Sequence, residues 1–100
     1  MPKSSTVDIE IEAYYMLAGR RKKLSIRYFA ILKEERGLAA ETLESGAETA
    51  ADLYEELMER HGLSLDRHRL GVAVNNTMTD WQEVLKDGDL VVFIPPVAGG

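Results

Sequence analysis

The sequence predicts one α+β domain in which a single long helix packs across a mixed sheet, and three observations carry that expectation. Residues 49–62 show a 3.6-residue apolar repeat with capping residues at both ends. Several short segments alternate with a period of two or form β-branched runs, and turn-forming residues separate them. The resulting order is strand, short helix, strand, long helix, strand, short strand, strand, which suits two layers around one core. At 100 residues there is room for one core only.

In "LSIRYFA" (24–30), Leu24, Ile26, Tyr28 and Ala30 fall on one face and Ser25, Arg27 and Phe29 on the other, the period of a half-buried strand. "ILKEERG" follows with helix formers closed by Gly37, enough for one or two turns. "AETLES" is a second short strand, ended by the Ser45-Gly46 turn. "TAADLYEELMERHG" is the long helix. Thr49 caps it with Asp52 three residues on, Ala50, Leu53, Tyr54, Leu57 and Met58 form the stripe, and Gly62 stops it. Glu55, Glu56 and Glu59 lie off the stripe and read as a solvated face. A polar loop around Asp66–Arg69 leads to "LGVAV", with Leu70, Val72 and Val74 on one face. Asn75-Asn76 tolerates positive φ, so "TMT" returns as a short strand. Trp81 reads as a packing anchor beneath the next loop. After the Asp87-Gly88 turn comes the strongest β-forming run, Leu90–Ile94, which Pro95 and Pro96 end while keeping the chain extended.

Ahead of this pattern stand residues 1–23, an N-terminal extension distinct from the domain of residues 24–100. Val7, Ile9 and Ile11 alternate with Asp8, Glu10 and Glu12 in strand-like fashion, and the basic run 19–23 reads as a solvated linker. Met16 precedes the core pattern closely, which adds a further alternative: that the first fifteen residues are an added or mis-started extension. The net charge of −5 divides into +2 over residues 1–23 and −7 over residues 24–100. That acidic balance argues against a nucleic-acid partner. The apolar run 13–18 follows acidic residues and is too short for a leader, and no apolar run approaches the roughly 20 residues of a membrane helix. The expected location is the cytoplasm.

With no cysteine, the chain has no disulfide, thiolate metal site or cysteine nucleophile. His61 and His68 lack ligand-spaced partners, so no metal is expected. Phosphate-cradling and nucleophile-elbow motifs are absent. The domain reads as a carrier or binding module, with one exception. "FIPPVAGG" runs a strand into two prolines and a Gly99-Gly100 tip without Cβ atoms, a stiff tail able to thread a narrow channel and leave its carboxylate open.

A strand-first sheet, one main helix and a projecting Gly-Gly end resemble the ubiquitin-like β-grasp fold. More closely, "LSIRYFAILKEERG", "AVNNTMT" and "LKDGDLVVFIPPVAGG" resemble the small, sulfur-carrying subunits of molybdopterin synthase over residues 24–100, while residues 1–23 have no counterpart. The resemblance implies that an E1-like adenylating enzyme uses ATP to activate the terminal carboxylate of Gly100, which becomes a thiocarboxylate, with Gly99 giving clearance. This chain itself would bind no cofactor. The tail (residues 95–100) would insert into the large synthase subunit, which holds the catalytic side chains, and its sulfur would attack a cyclic pyranopterin precursor. The assembly would be a heterotetramer with this chain at its outer ends. By position in the matched motifs, Phe29, Met78 and Ile94 would form the docking patch, and Pro95, Pro96 and Val97 would enter the partner. Phe29 could equally pack in the core. The acidic domain would speed encounter with basic partners. A sulfur carrier for another pathway (thiamine, cysteine or tRNA thiolation), a ubiquitin-like protein modifier, and a β-grasp interaction module without terminal chemistry share the same fold expectation.

Overall fold

The computed structural model describes residues 21–96; the alternating Val7, Ile9 and Ile11, and Val97, Gly99 and Gly100 of the tail, lie outside the described residues. Chain order is β1 (Lys22–Tyr28), α1 (Ile31–Arg36), β2 (Ala40–Ser45), α2 (Ala50–His61), a 3₁₀ turn at Arg67–Arg69, β3 (Gly71–Val74), β4 (Thr77–Thr79) and β5 (Leu90–Ile94). The strands form one mixed sheet in the order β2-β1-β5-β3-β4, with β1 and β5 parallel at its centre and the other pairs antiparallel. This is the ubiquitin-like β-grasp arrangement.

The core lies between α2 and one face of the sheet. Leu24, Ile26 and Tyr28 of β1, Val72 and Val74 of β3, and Val91 and Phe93 of β5 meet Ala50, Leu53, Tyr54 and Leu57 of α2, all buried. Leu32 of α1 and Leu85 close the ends of this layer. The cap of α2 is reciprocal. Thr49 Oγ1 accepts from the Asp52 N–H at 3.2 Å, and the Asp52 carboxylate accepts from the Thr49 N–H at 3.3 Å. Gly62 ends the helix in a left-handed conformation (φ 67°), its N–H donating to the Met58 carbonyl at 2.8 Å.

The loop between β4 and β5 folds onto the start of α2. Its Trp81 and Glu83 carbonyls accept from the Ala51 and Ala50 N–H groups at 2.9 and 3.0 Å, and the Leu85 N–H donates to the Glu48 carbonyl at 2.8 Å. These bonds satisfy backbone donors that a helix start leaves unpaired. Trp81 anchors the loop as the sequence suggests. Its ring stacks on Phe93 (centroids 6.0 Å apart, planes at 12°) and lies 5.7 Å from the ring of Tyr54.

Four local features depart from the sequence expectation. β1 starts at Lys22, inside the basic run read as linker, because the Lys23 N–H donates to Asp87 Oδ1 at 2.7 Å and its carbonyl accepts from Gly88 at 2.8 Å. Lys22 Nζ also donates to the Ala47 carbonyl at 3.0 Å. Ala30 leaves the strand face altogether: at φ 53°, ψ −126° it turns the chain from β1 into α1. The polar loop at Asp66–Arg69 is a 3₁₀ turn capped by Asp66, whose carboxylate accepts from the His68 N–H at 2.9 Å. Of the acidic residues on α2, Glu56 accepts from the Ser45 hydroxyl at 2.6 Å and pairs with Arg60 at 3.1 Å, while Glu55 pairs with Arg67 at 3.4 Å. That face is tied to neighbouring elements as well as solvated.

Candidate functional site

The alternation that sends Val91 and Phe93 into the core sends Leu90, Val92 and Ile94 to the sheet face that no helix covers. Register aligns Arg27 of β1, Val92 of β5, Ala73 of β3 and Met78 of β4 in one row across that face. Beside this row Gly71 pairs with Ile94. Glycine at 71 leaves room for Met78 to lie across it: an added Cβ would stand 3.1 Å from Met78 Cε and 3.9 Å from Ile94 Cβ. Met78 is 62% exposed on the short edge strand β4.

Phe29 follows β1 directly, as Ile94 follows Phe93, and Tyr28 and Phe93 are register partners. Phe29 is half exposed at 50%, which answers the open choice between core and surface. Ala30, with its positive φ, follows it, and Ile31, also exposed, comes next. A backbone placement of this kind costs an alanine about 1–2 kcal/mol and is held by its surroundings. Here the Leu32 N–H donates to the Phe29 carbonyl at 3.1 Å and the Glu34 N–H to the Ala30 carbonyl at 3.1 Å, while buried Leu32 fixes α1 from the other side.

The tail leaves from this same end. Ile94 and Pro95 are partly buried and Pro96 is exposed, so the described chain ends in a proline pair that cannot join a ladder as donors. Phe29, Met78, Ile94, Pro95 and Pro96 therefore occupy the uncovered face or the exit of β5, and Val97, Gly99 and Gly100 lie outside the described residues. The sequence reading did not single out Gly71, Ala30, Ile31 or Val92. The alternation within "LVVFI" held the signal for Val92; the other three depend on packing between segments distant in sequence.

A polar cluster stiffens the sheet behind this end. Arg36 donates to both oxygens of Glu41 at 2.8 and 2.9 Å, and the Tyr28 hydroxyl donates to Glu41 at 2.6 Å. The hydrogen bonds from Arg36 hold the Glu41 carboxyl below its ordinary range, and burial pushes the Tyr28 phenol well above its own. His61 lies nearby with its imidazole lowered, first by burial and then by Arg36. These groups are paired structurally and offer no open acid, base or nucleophile. Among the described residues no cluster of His, Asp and Glu side chains could hold a metal, and no helix is long and apolar enough to cross a membrane.

The described residues thus present an uncovered apolar face and no open acid, base or nucleophile. Comparison with known proteins places the fold in a family. Residues 26–100 match the ThiS family. The molybdopterin synthase sulfur carrier subunit of Haemophilus influenzae is 35% identical over 80 residues, 77% of this chain and 99% of the relative. Its Escherichia coli counterpart is 32% identical over the same shares. A solved complex of subunits 1 and 2 of the molybdopterin-converting factor from Helicobacter pylori matches with 30% identity and a TM-score of 0.55, covering 78% of this chain and 99% of that one. The uncovered apolar face, the proline-led exit of β5 and these relatives together make this chain a member of the ThiS family, akin to the sulfur carrier subunits of molybdopterin synthase.

Proposed function

We propose that this chain carries sulfur as a thiocarboxylate on Gly100 and delivers it to a cyclic pyranopterin precursor within the large subunit of molybdopterin synthase. The observation that carries the reading is the convergence of Phe29, Met78 and Ile94 on the sheet end from which the tail departs. A free carboxylate is a poor acyl donor, so an E1-like enzyme first joins it to the AMP portion of ATP, releasing pyrophosphate. Sulfur then displaces AMP at the Gly100 carbonyl. The chain supplies a tethered reactant at high effective concentration, and the large subunit supplies the side chains of the later steps. No cofactor resides on this chain in the reading, the partners assemble as a heterotetramer, and the work is done in the cytoplasm.

The test is reconstitution. The chain is incubated with ATP, a sulfur donor and an E1-like enzyme, and intact mass is followed. Exchange of one terminal oxygen for sulfur, followed by molybdopterin formation when the large subunit and precursor are added, is the expected result. Isopeptide conjugates to lysines with no molybdopterin would replace the reading with that of a protein modifier.

A further inference from the structure

Among the described residues the sheet ends at β2, whose outer edge pairs with no other strand. The Tyr28 N–H donates to the Ala39 carbonyl at 2.8 Å, which sets the parity of the β1–β2 ladder. By the alternation of an antiparallel ladder, Glu41, Leu43 and Ser45 direct their backbone groups toward β1, while Ala40, Thr42 and Glu44 direct theirs outward. Ser25 agrees, since its N–H turns away from its partner Thr42 to the Asp89 carbonyl at 3.0 Å. The Glu44 carbonyl takes a donor on that side, Arg21, at a long 3.4 Å. Side chains alternate as well. Leu43 and buried Ser45 turn to the helix side, whereas Ala40, Thr42 and Glu44 share the uncovered face with their register partners Arg27, Ser25 and Lys23. Small Ala40 and Thr42 leave a shallow cavity of about 440 Å³ there, with Arg27 in its wall. Arg27 is exposed and forms no ion pair among the described residues.

We infer that β2 pairs antiparallel with β2 of a second copy of this chain, about a twofold axis at Thr42, which makes the sheet continuous across two molecules. Register selects both the occupant and the axis. With the axis at Thr42, that residue meets its own copy and Ala40 meets Glu44 of the second copy, so every outward-facing residue of the strand joins a hydrogen-bonded pair. An axis at Glu41 would oppose two glutamates, and one at Leu43 would carry Ala40 past the facing strand's end at Ser45. The charges fit the same axis. On the uncovered face the row Arg27–Ala40 continues to Glu44 and then Lys23 of the second copy, so each Glu44 stands between cations of both chains. Arg27 and that Glu44 are two strand spacings apart, about 10 Å, which their extended side chains cross over the methyl of Ala40. On the helix side Leu43 lies diagonal to its own copy and lengthens the apolar layer. The opposite sheet edge, β4, has three residues and offers a shorter ladder. β1 separates β5 from the β2 edge, so the tail exit stays outside the pairing. A pair of six-residue strands covers less than the roughly 1,200 Å² of stable complexes, so the association is weak and concentration-dependent. The inference does not depend on sulfur carriage.

Sedimentation velocity and backbone hydrogen exchange on the full chain, from about 10 μM to about 1 mM, test it. Mass should rise from one copy toward two, and the Thr42 and Glu44 amides should gain about tenfold protection over the same range while Ile26 and Val91 stay constant. Thr42→Pro removes an outward donor that the β1 ladder does not use, so it should weaken association about tenfold or more with circular dichroism unchanged. Charge gives a second reading. Arg27→Glu and Glu44→Arg should each lower self-association about tenfold, and an equimolar mixture of the two variants should recover it, since each chain then meets the opposite charge. A single copy at every concentration would overturn the inference. So would Thr42 and Glu44 protection that ignores concentration, the sign of an edge covered within one chain, or association that survives Thr42→Pro.

Discussion

Met78 lies folded across Gly71, its Cε 3.1 Å from the point where a Cβ on that glycine would stand, and Ile94 flanks the same point at 3.9 Å. The contact links the edge strand β4 to the last residue of β5, where the tail begins. Gly71→Ala should therefore displace the methionine tip without harming the fold, because the obstructing atom is the end of a flexible side chain. Gly71 has no positive φ, and the lost chain freedom of the unfolded state favours alanine by about 0.4–1 kcal/mol. The thermal midpoint should hold or rise while affinity for the large synthase subunit falls about tenfold, read by calorimetry on the two purified subunits.

Ala30 stores strain between Phe29 and Ile31. Its φ of 53° with ψ −126° is a conformation that glycine adopts freely and alanine does not. Ala30→Gly removes about 1–2 kcal/mol of strain and adds about 0.5–1 kcal/mol of unfolded-state entropy, so the expected net gain is about 0.5–1 kcal/mol. Chemical denaturation checks the sign, and a destabilised glycine variant would show that the alanine methyl makes contacts outweighing the strain.

Most of the local structure is legible in the sequence because it follows from short-range chemistry. Thr49 and Asp52 form their capping box, Gly62 takes its left-handed φ, and Asn75 and Asn76 both adopt positive φ (53° and 72°) to turn β3 into β4. What was not legible depends on residues far apart in the chain. Lys22 and Lys23 read as linker because nothing near them reveals that Ala47, Asp87 and Gly88 will hold them in a strand. Ala30 continues the strand alternation on paper, and only the packing of Leu32 and the departure of α1 force it out. The exposure of Phe29 and Met78 is partly visible through motif positions, whereas the place of Met78 over Gly71 requires the β3–β4 and β3–β5 pairings together.

The Glu41 cluster should give the fold an acid limit. Glu41 has a folded-state pKa below its unfolded value, so its contribution is complete above about pH 4.3 and is lost as pH falls through the folded value. His61 is also depressed; the unfolded chain takes up its proton first as pH falls below about 6.5, which lowers stability in the same direction. Stability should thus be greatest above pH 7, decline gently through 6 and fall steeply below 4. His61→Gln should flatten the first part of a denaturation profile measured against pH. Glu41→Gln should flatten the second, at a cost of about 1–3 kcal/mol at neutral pH for the weakened Arg36 and Tyr28 bonds. A native profile flat from pH 8 to 3 would refute both assignments.

Asp89 fixes the start of the strand that ends in the tail. Buried Asp89 and Asn75 together tie three segments: Asp89 Oδ1 accepts from Asn75 Nδ2 at 2.8 Å, Asp89 Oδ2 accepts from the Lys86 N–H at 2.7 Å, and Asn75 Oδ1 accepts from the Leu90 N–H at 2.9 Å. Asn75 also keeps φ positive, where alanine is strained. Asn75→Ala loses both side-chain bonds and adds that strain, whereas Asn75→Gly loses the bonds alone. The alanine variant should be the weaker of the two by about 1 kcal/mol, and each should fall below the native chain by about 1–3 kcal/mol. Because Gly71, Met78 and Phe29 are not among these partners, large-subunit affinity extrapolated to fully folded protein should stay within about threefold of native. A large loss of affinity in folded Asn75→Gly would mean that the β3–β4 turn belongs to the docking surface.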